Sequence, residues 1–369
     1  MTLKSITPVA LALLVSACQS NGSGQGQPQQ TNHISQPVYL AEYQAAYRFK
    51  NEAEQLQRAM NNFCGSVDLS DGNLSVSDDQ ANISGEQVNR SNGQVYSSNE
   101  QLKQQWHSTM LAWMALQGQE RGPAAALEQS WNVQFWPDKK NTTGRKMQAL
   151  LKQNQSWSSA DIAQQSVTVQ GLGALEWALY DSQSPLMSAP EKACPAVTAI
   201  SENLATKAAI IEQAWQQNPW TKMDEPTWHS AYIALLSNQL EYSMSKMSRP
   251  LANIGQPRPY FSESWRSKTS MLNLKANIEA MQTLYLSSLD GELRARKLDD
   301  LADRVKTQYA NLVSTWPQNP SLFDMLQSKD GYRDVLSQYN KLEQLKYLLH
   351  DEVAVELGVV IGFNSSDGD

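Results

Sequence analysis

Between Val197 and Trp215 the apolar side chains recur every third or fourth residue: Val197, Ile200, Leu204, Ala208, Ile211 and Trp215. Steps of three and four keep to one face of a helix with 3.6 residues per turn, so this stretch can bury itself only as a helical stripe. The stripe ends before Asn218-Pro219, where the proline disfavours a helical backbone in the residue ahead of it. The same spacing returns along the chain. It runs through Tyr39, Tyr43, Ala46, Phe49, Ala53, Leu56, Met60 and Phe63, and again through Leu102, Trp106, Met110, Trp113 and Leu116 up to Gly122-Pro123. Residues 144–181 read as shorter, broken helices. Four further stripes follow, from Trp228 to Met247, Met271 to Tyr285, Leu298 to Trp316 and Val335 to Val360.

Long amphipathic helices with no convincing run of strands predict an all-α protein built as two four-helix bundles in series. The first bundle takes residues 37–220 and the second 221–369, with the boundary between Gln217 and Glu225, where two prolines lie close together. Residues 66–99 are rich in Ser, Asn, Asp and Gly. They predict a long polar loop between the first two helices, or a small hairpin through Leu74-Ser75-Val76 and Gln94-Val95-Tyr96.

Residues 1–18 have the form of an export signal. Lys4 precedes an apolar run from Pro8 to Val15 that is too short to span a bilayer, and Ser16-Ala17-Cys18 closes it. That ending resembles a bacterial lipobox, which predicts acylation at Cys18 and a lipid anchor in a membrane. Gln19, rather than Asp, follows the cysteine, and this favours the periplasmic face of the outer membrane. Residues 19–36 are Gln, Asn, Ser, Gly and Pro with little to bury, and read as a flexible tether. The chain has 3 cysteines. With Cys18 lipidated, Cys64 and Cys194 remain as an even pair in an oxidising compartment, and a disulfide between them is expected. A net charge of −7 without a basic stripe argues against a nucleic-acid partner.

Several short motifs occur in order behind the lipobox. Gly171-Leu172-Gly173-Ala174-Leu175-Glu176 opens a helical stretch. Upstream stand Gly122-Pro123, Phe135-Trp136-Pro137-Asp138 and Gly144-Arg145. Downstream come Trp265-Arg266-Ser267, the stretch from Asn273 to Glu279, and a carboxyl-terminal run containing Gly362-Phe363-Asn364 and Asp367-Gly368-Asp369. Together these resemble the imelysin family of bacterial cell-envelope proteins. The resemblance implies two four-helix bundles and a link to iron acquisition, and some members are classed as peptidases. It also implies a Gly-x-His-x-x-Glu site. His and Glu three residues apart share one helix face and could reach one metal ion. Here Glu176 is present, but Gly173 stands where the motif has His.

The residues themselves imply no cofactor; the resemblance makes a metal ion the candidate. The 4 histidines, His33, His107, His229 and His350, form no His-Glu-x-x-His or His-x-x-Glu pattern, and no Gly-x-Ser-x-Gly occurs. The expected ligand-binding set is Glu176, Gly173, Arg145, Arg266, Trp136, Asp138, Asn364 and Asp367. Within it Glu176, Arg145 and Arg266 are expected to meet as one buried polar site, and Asp138 to serve as a helix cap or turn residue. The function this favours is a non-enzymatic, membrane-anchored binding component for a metal or an iron complex, with the ligand between the bundles. A metallopeptidase and a structural envelope scaffold are the alternatives.

Overall fold

The computed structural model describes residues 28–66, 87–153 and 155–359, and its long elements are all α-helices. The first, α1 (Gln36–Ser66), buries the stripe expected of it, from Tyr39 through Phe49 and Leu56 to Phe63. Helix α2 covers Gln87–Trp113. The broken block contains α3 (Thr142–Leu151) and α4 (Leu172–Tyr180), with a shorter helix over Ser159–Ala163 between them. Helix α5 (Pro190–Ala214) carries the stripe from Val197 to Ile211 on its buried side.

In the second half, α6 (Glu225–Leu251) starts on Asp224, whose side chain accepts from the Thr227 N–H. Helix α7 (Ser270–Leu284) continues through a π-helical turn over Tyr285–Leu289 into a short helix, Asp290–Ala295. Helix α8 is Asp299–Ser314. Helix α9 (Lys329–Tyr347) starts on Ser328, whose hydroxyl accepts from the Gly331 N–H. These caps satisfy N–H groups that lack a partner in the first turn of a helix.

Contacts close the helices into two circuits. Helix α1 packs on α2 and α5, and α4 joins α2 to α5. In the second half α6 packs on α7, α7 on α8, α8 on α9 and α9 back on α6. This is compatible with two four-helix bundles in series. The circuits meet where α7 touches α1 and α2. Buried apolar side chains from both belong to one continuous cluster.

Two expectations need correction. Residues 87–99, assigned from composition to a loop or hairpin, are the amino-terminal turns of α2. A helix nucleated by the packed stripe from Leu102 to Trp113 can extend into polar sequence, because adding a turn costs far less than starting one. The other arm of the expected hairpin, Leu74-Ser75-Val76, lies outside the described residues. The tether expected over 19–36 is, in its last part, held in place. His33 Nε2 lies 2.8 Å from the Met223 carbonyl, Gln29 Oε1 accepts from the Asn218 N–H at 2.9 Å, and Ser35 Oγ contacts Asn218. These residues bury little apolar surface. They are fixed instead because the α5–α6 connection offers two backbone groups and the Asn218 side chain to their polar side chains. Cys18 lies outside the described residues.

The expected disulfide is present: Cys64 at the end of α1 bonds Cys194 at the start of α5, with Cα atoms 5.6 Å apart. It closes a loop between residues 130 apart. The chain-entropy model gives such a crosslink about 4–5 kcal/mol, acting through the unfolded state. Replacing both cysteines with alanine should therefore lower the unfolding free energy by about 4 kcal/mol in denaturant titrations. Thiol labelling of the unreduced, denatured chain should find neither Cys64 nor Cys194 reactive.

Candidate functional site

Helix α4 is positioned by a glycine that nothing else can replace. A Cβ on Gly171 would lie 2.1 Å from the Val133 carbonyl oxygen and 2.5 Å from that of Asn132. The start of α4 thus rests directly on the backbone of the short helix Ser130–Val133. Gly173 is different: a Cβ there would meet nothing within 4 Å. The missing side chain at the motif's histidine position is not demanded by packing.

One turn further on, Glu176 is buried. Its Oε1 accepts two hydrogen bonds from Ser267, one from the N–H and one from the hydroxyl, each at 2.9 Å. Burial pushes its pKa up. The nearby Arg266 charge and the two Ser267 bonds pull it back, while the Glu263 charge pushes it up again. Ser267 belongs to the second half of the chain, so the carboxyl group ties α4 to the segment that precedes α7.

Arg266 acts on Glu176 only at a distance. Its Nε donates to Asp181 Oδ2 at 2.7 Å, and its Nη2 donates to Asn141 Oδ1 at 2.5 Å. The guanidinium carbon sits 4.4 Å from the centre of the Trp265 ring, a cation–π contact. Arg145 does not join this group, which corrects the expected three-residue site. On α3 it is Thr143, Gly144, Met147 and Leu150 that are buried, and Arg145 is exposed to solvent. Asp138 caps that helix: Oδ1 accepts from the Thr142 N–H at 2.6 Å and Oδ2 from the Thr143 N–H at 2.9 Å. Trp136 donates from Nε1 to the Phe261 carbonyl at 3.2 Å and stands edge-on to Tyr242. Asn364 and Asp367 lie outside the described residues.

Gly173, Glu176, Trp136, Asp138 and Arg266 line one cavity of about 40 Å³, together with Glu263, Ser264 and Trp265. The cavity lies between the turn of α4 and residues 260–266. Trp265 and the exposed Tyr260 stand edge to face beside it, and Phe323 completes the aromatic group.

Behind the cavity is a polar group that no motif announced. Lys246 Nζ and Glu263 Oε2 are 2.5 Å apart, both almost fully buried. Lys246 also donates to Gln117 Oε1 at 2.7 Å and Asn277 Oδ1 at 2.8 Å. Glu263 Oε1 accepts from Gln117 at 2.6 Å and from Gln134 at 2.9 Å. Burial lowers the Lys246 pKa, and the Glu263 charge works against that. The one signal in the sequence is a lysine next to Met247, within the apolar stripe of α6.

The described residues of the site do not fit a metal. Among the described residues no group of three or more His, Cys, Asp or Glu side chains could hold one. Gly173 supplies no donor, and Glu176 Oε1 is occupied by Ser267. Of the histidines, His229 is buried against Glu292, with Nε2 at 2.8 Å from Oε2, and His33 is held by Met223.

The fold and site together define an all-helical protein whose two circuits are joined through buried carboxylates, with a small polar cavity at the junction. The imelysin family model matches residues 40–349. The chain belongs to the imelysin family. No curated protein shows significant similarity to it. Among solved structures, an imelysin-like protein from Psychrobacter arcticum superposes with a TM-score of 0.68 at 19% identity, covering 89% of this chain and 96% of that one. A protein described as an iron-regulated protein A precursor, from Parabacteroides distasonis, superposes with a TM-score of 0.60 at 12% identity, covering 88% and 96%.

The two glycines of α4 should respond to substitution in opposite directions. Gly171→Ala should lower the unfolding free energy by about 3 kcal/mol, the upper end of overpacking costs, whereas Gly173→Ala should raise it by about 0.4–1 kcal/mol. Lys246→Met should cost about 3–5 kcal/mol by stranding Glu263, and the double variant with Glu263→Leu should cost less than either single one. Denaturant titrations of the variants measure both.

Proposed function

We propose that this protein is a lipid-anchored envelope protein that binds, rather than cleaves, its target. In this reading it is held by Cys18 on the periplasmic face of the outer membrane. It serves as a binding component in metal or iron-complex uptake, with the ligand at the cavity between α4 and residues 260–266. The observation that carries the reading is the pair Gly173 and Glu176. The frame of the motif is kept, the open space beside Gly173 holds no ligand group, and the Glu176 oxygen is engaged by Ser267.

A cavity of about 40 Å³ admits only a few atoms. A metal complex would therefore insert one group beside Glu176 and rest its bulk on Trp265 and Tyr260 at the mouth. Aromatic faces of this kind suit planar or apolar ligand surfaces. The iron link is supported by the described character of the Parabacteroides distasonis relative. Among the described residues no helix is long and apolar enough to cross a membrane, so attachment in this reading rests on acyl chains at Cys18. A scaffold role would leave the cavity without a purpose. The metallopeptidase alternative finds no set of three metal ligands among the described residues.

Two experiments test this. Full-length protein purified without chelator should show no proteolysis that chelators abolish; chelator-sensitive cleavage that disappears in Glu176→Gln would reverse the assignment. Cys18→Ser should leave the chain unprocessed or release it from membranes, and fractionation identical to the unaltered protein would refute the anchor.

A further inference from the structure

A second cavity adjoins the one beside Glu176 and shares two wall residues with it, Gln134 and Trp136. Its volume is about 350 Å³, at the lower end of the range for small-molecule pockets. The end of α2, the short helix Ser130–Val133 and α6 supply Trp113, the exposed Trp131 and Tyr242 to its walls. The turn after α2 completes it with Gly118, Gln119 and Glu120. Gly118 lets that turn close on α6. Its φ is +81°, and a Cβ there would lie 2.6 Å from the Tyr242 Cβ. Any other residue at this position would push the turn away from Tyr242.

Two oxygens of that turn are acceptors a ligand can reach. The Gln119 side chain is held in place: Gln119 is 8% exposed, and its Nε2 donates to the Ala115 carbonyl at 3.1 Å and to Glu42 Oε1 at 2.8 Å. A carbonyl can only accept, so the orientation of the amide is fixed. Its Oε1 takes no hydrogen bond among the described residues and is not sealed from solvent. The neighbouring Glu120 is exposed, accepts from Asn238 at 3.3 Å, and pairs with no cationic side chain among the described residues. No Lys, Arg or His lines the cavity; Arg249 stacks 5.9 Å from the Trp136 ring centre but lies outside the lining. One carboxylate and one free amide oxygen therefore stand among aromatic rings. Such walls attract a cation, and the two oxygens favour one that carries N–H donors. An anion would find no countercharge, an uncharged hydrocarbon would leave both acceptors without a partner, and a bare hard metal ion would find too few oxygens.

We propose that this cavity binds a small arylalkyl primary amine in its protonated form. The ammonium group donates to Gln119 Oε1 and to the Glu120 carboxylate, and the ring packs among Trp113, Trp131 and Tyr242. The assignment rests on neither Glu176 nor the uptake reading.

The test is calorimetric titration of the full chain with 2-phenylethylamine. The expected result is saturable binding of one molecule per chain. Glu120→Gln, which removes the charge at an exposed position without breaking an ion pair, should weaken binding about tenfold. Trp131→Ala, which removes an exposed ring, should also weaken it, and Glu176→Gln should leave it unchanged. The alcohol 2-phenylethanol lacks the charge, and the N,N,N-trimethyl derivative of the amine lacks the N–H donors; each should bind about tenfold more weakly than the primary amine. The proposal is overturned by an absence of saturable binding, by equal affinity in Glu120→Gln, or by either analogue binding as tightly as the primary amine.

Discussion

A lysine and a glutamate buried together at the junction of the two helical circuits set the terms for much of this structure. Removing two charges from water is expensive, and the Lys246–Glu263 pair is tolerable only because Gln117, Gln134 and Asn277 complete its hydrogen bonds. Those partners come from both halves of the chain. Gln117 and Gln134 belong to the first, and Lys246, Asn277 and Glu263 to the second. The pair can be satisfied only when the halves dock in one register. A purely apolar junction would tolerate sliding, whereas a fixed set of donors and acceptors does not.

The candidate site inherits its geometry from that register. Glu263 points one way into the polar group and also lines the cavity that contains Glu176. The chain then passes through Arg266, which reaches back to Asp181 and Asn141, and Ser267, which closes on Glu176. The second half thus grips the first repeatedly within the short stretch from Glu263 to Ser267. The carboxyl of Glu176 makes no direct ion pair: the Arg266 charge favours its ionised form from a distance, and the two Ser267 donors add to that.

Much of this was legible in the sequence, for reasons that differ by residue. The stripes of α1 and α5 were readable because a period of three and four has only one structural solution. The Cys64–Cys194 bond was readable from an even pair in an oxidising compartment, and Asp138 from its place just ahead of a helix. The partner of Arg266 was not readable. Asp181 and Asn141 lie 85 and 125 residues away, and no local pattern records a pairing across that span. Arg145 was misplaced because a motif names residues without saying which side of α3 each will occupy. The amino-terminal turns of α2 were hidden because composition reports what a segment buries, and an extended helix end need bury nothing. The clamp at residues 28–35 escaped for the same reason: its bonds are made by polar side chains to backbone and side-chain groups that are brought there only once α5 has ended.

That clamp has a mechanical consequence. Gln29, His33 and Ser35 grip the connection between α5 and α6, so a pull on the chain ahead of Gln29 does not peel α1 from its end. The load passes first into these hydrogen bonds, and from them into the link between the two circuits. Tension at the amino terminus is thereby delivered to the connection between α5 and α6, while the disulfide between α1 and α5 holds those two helices together.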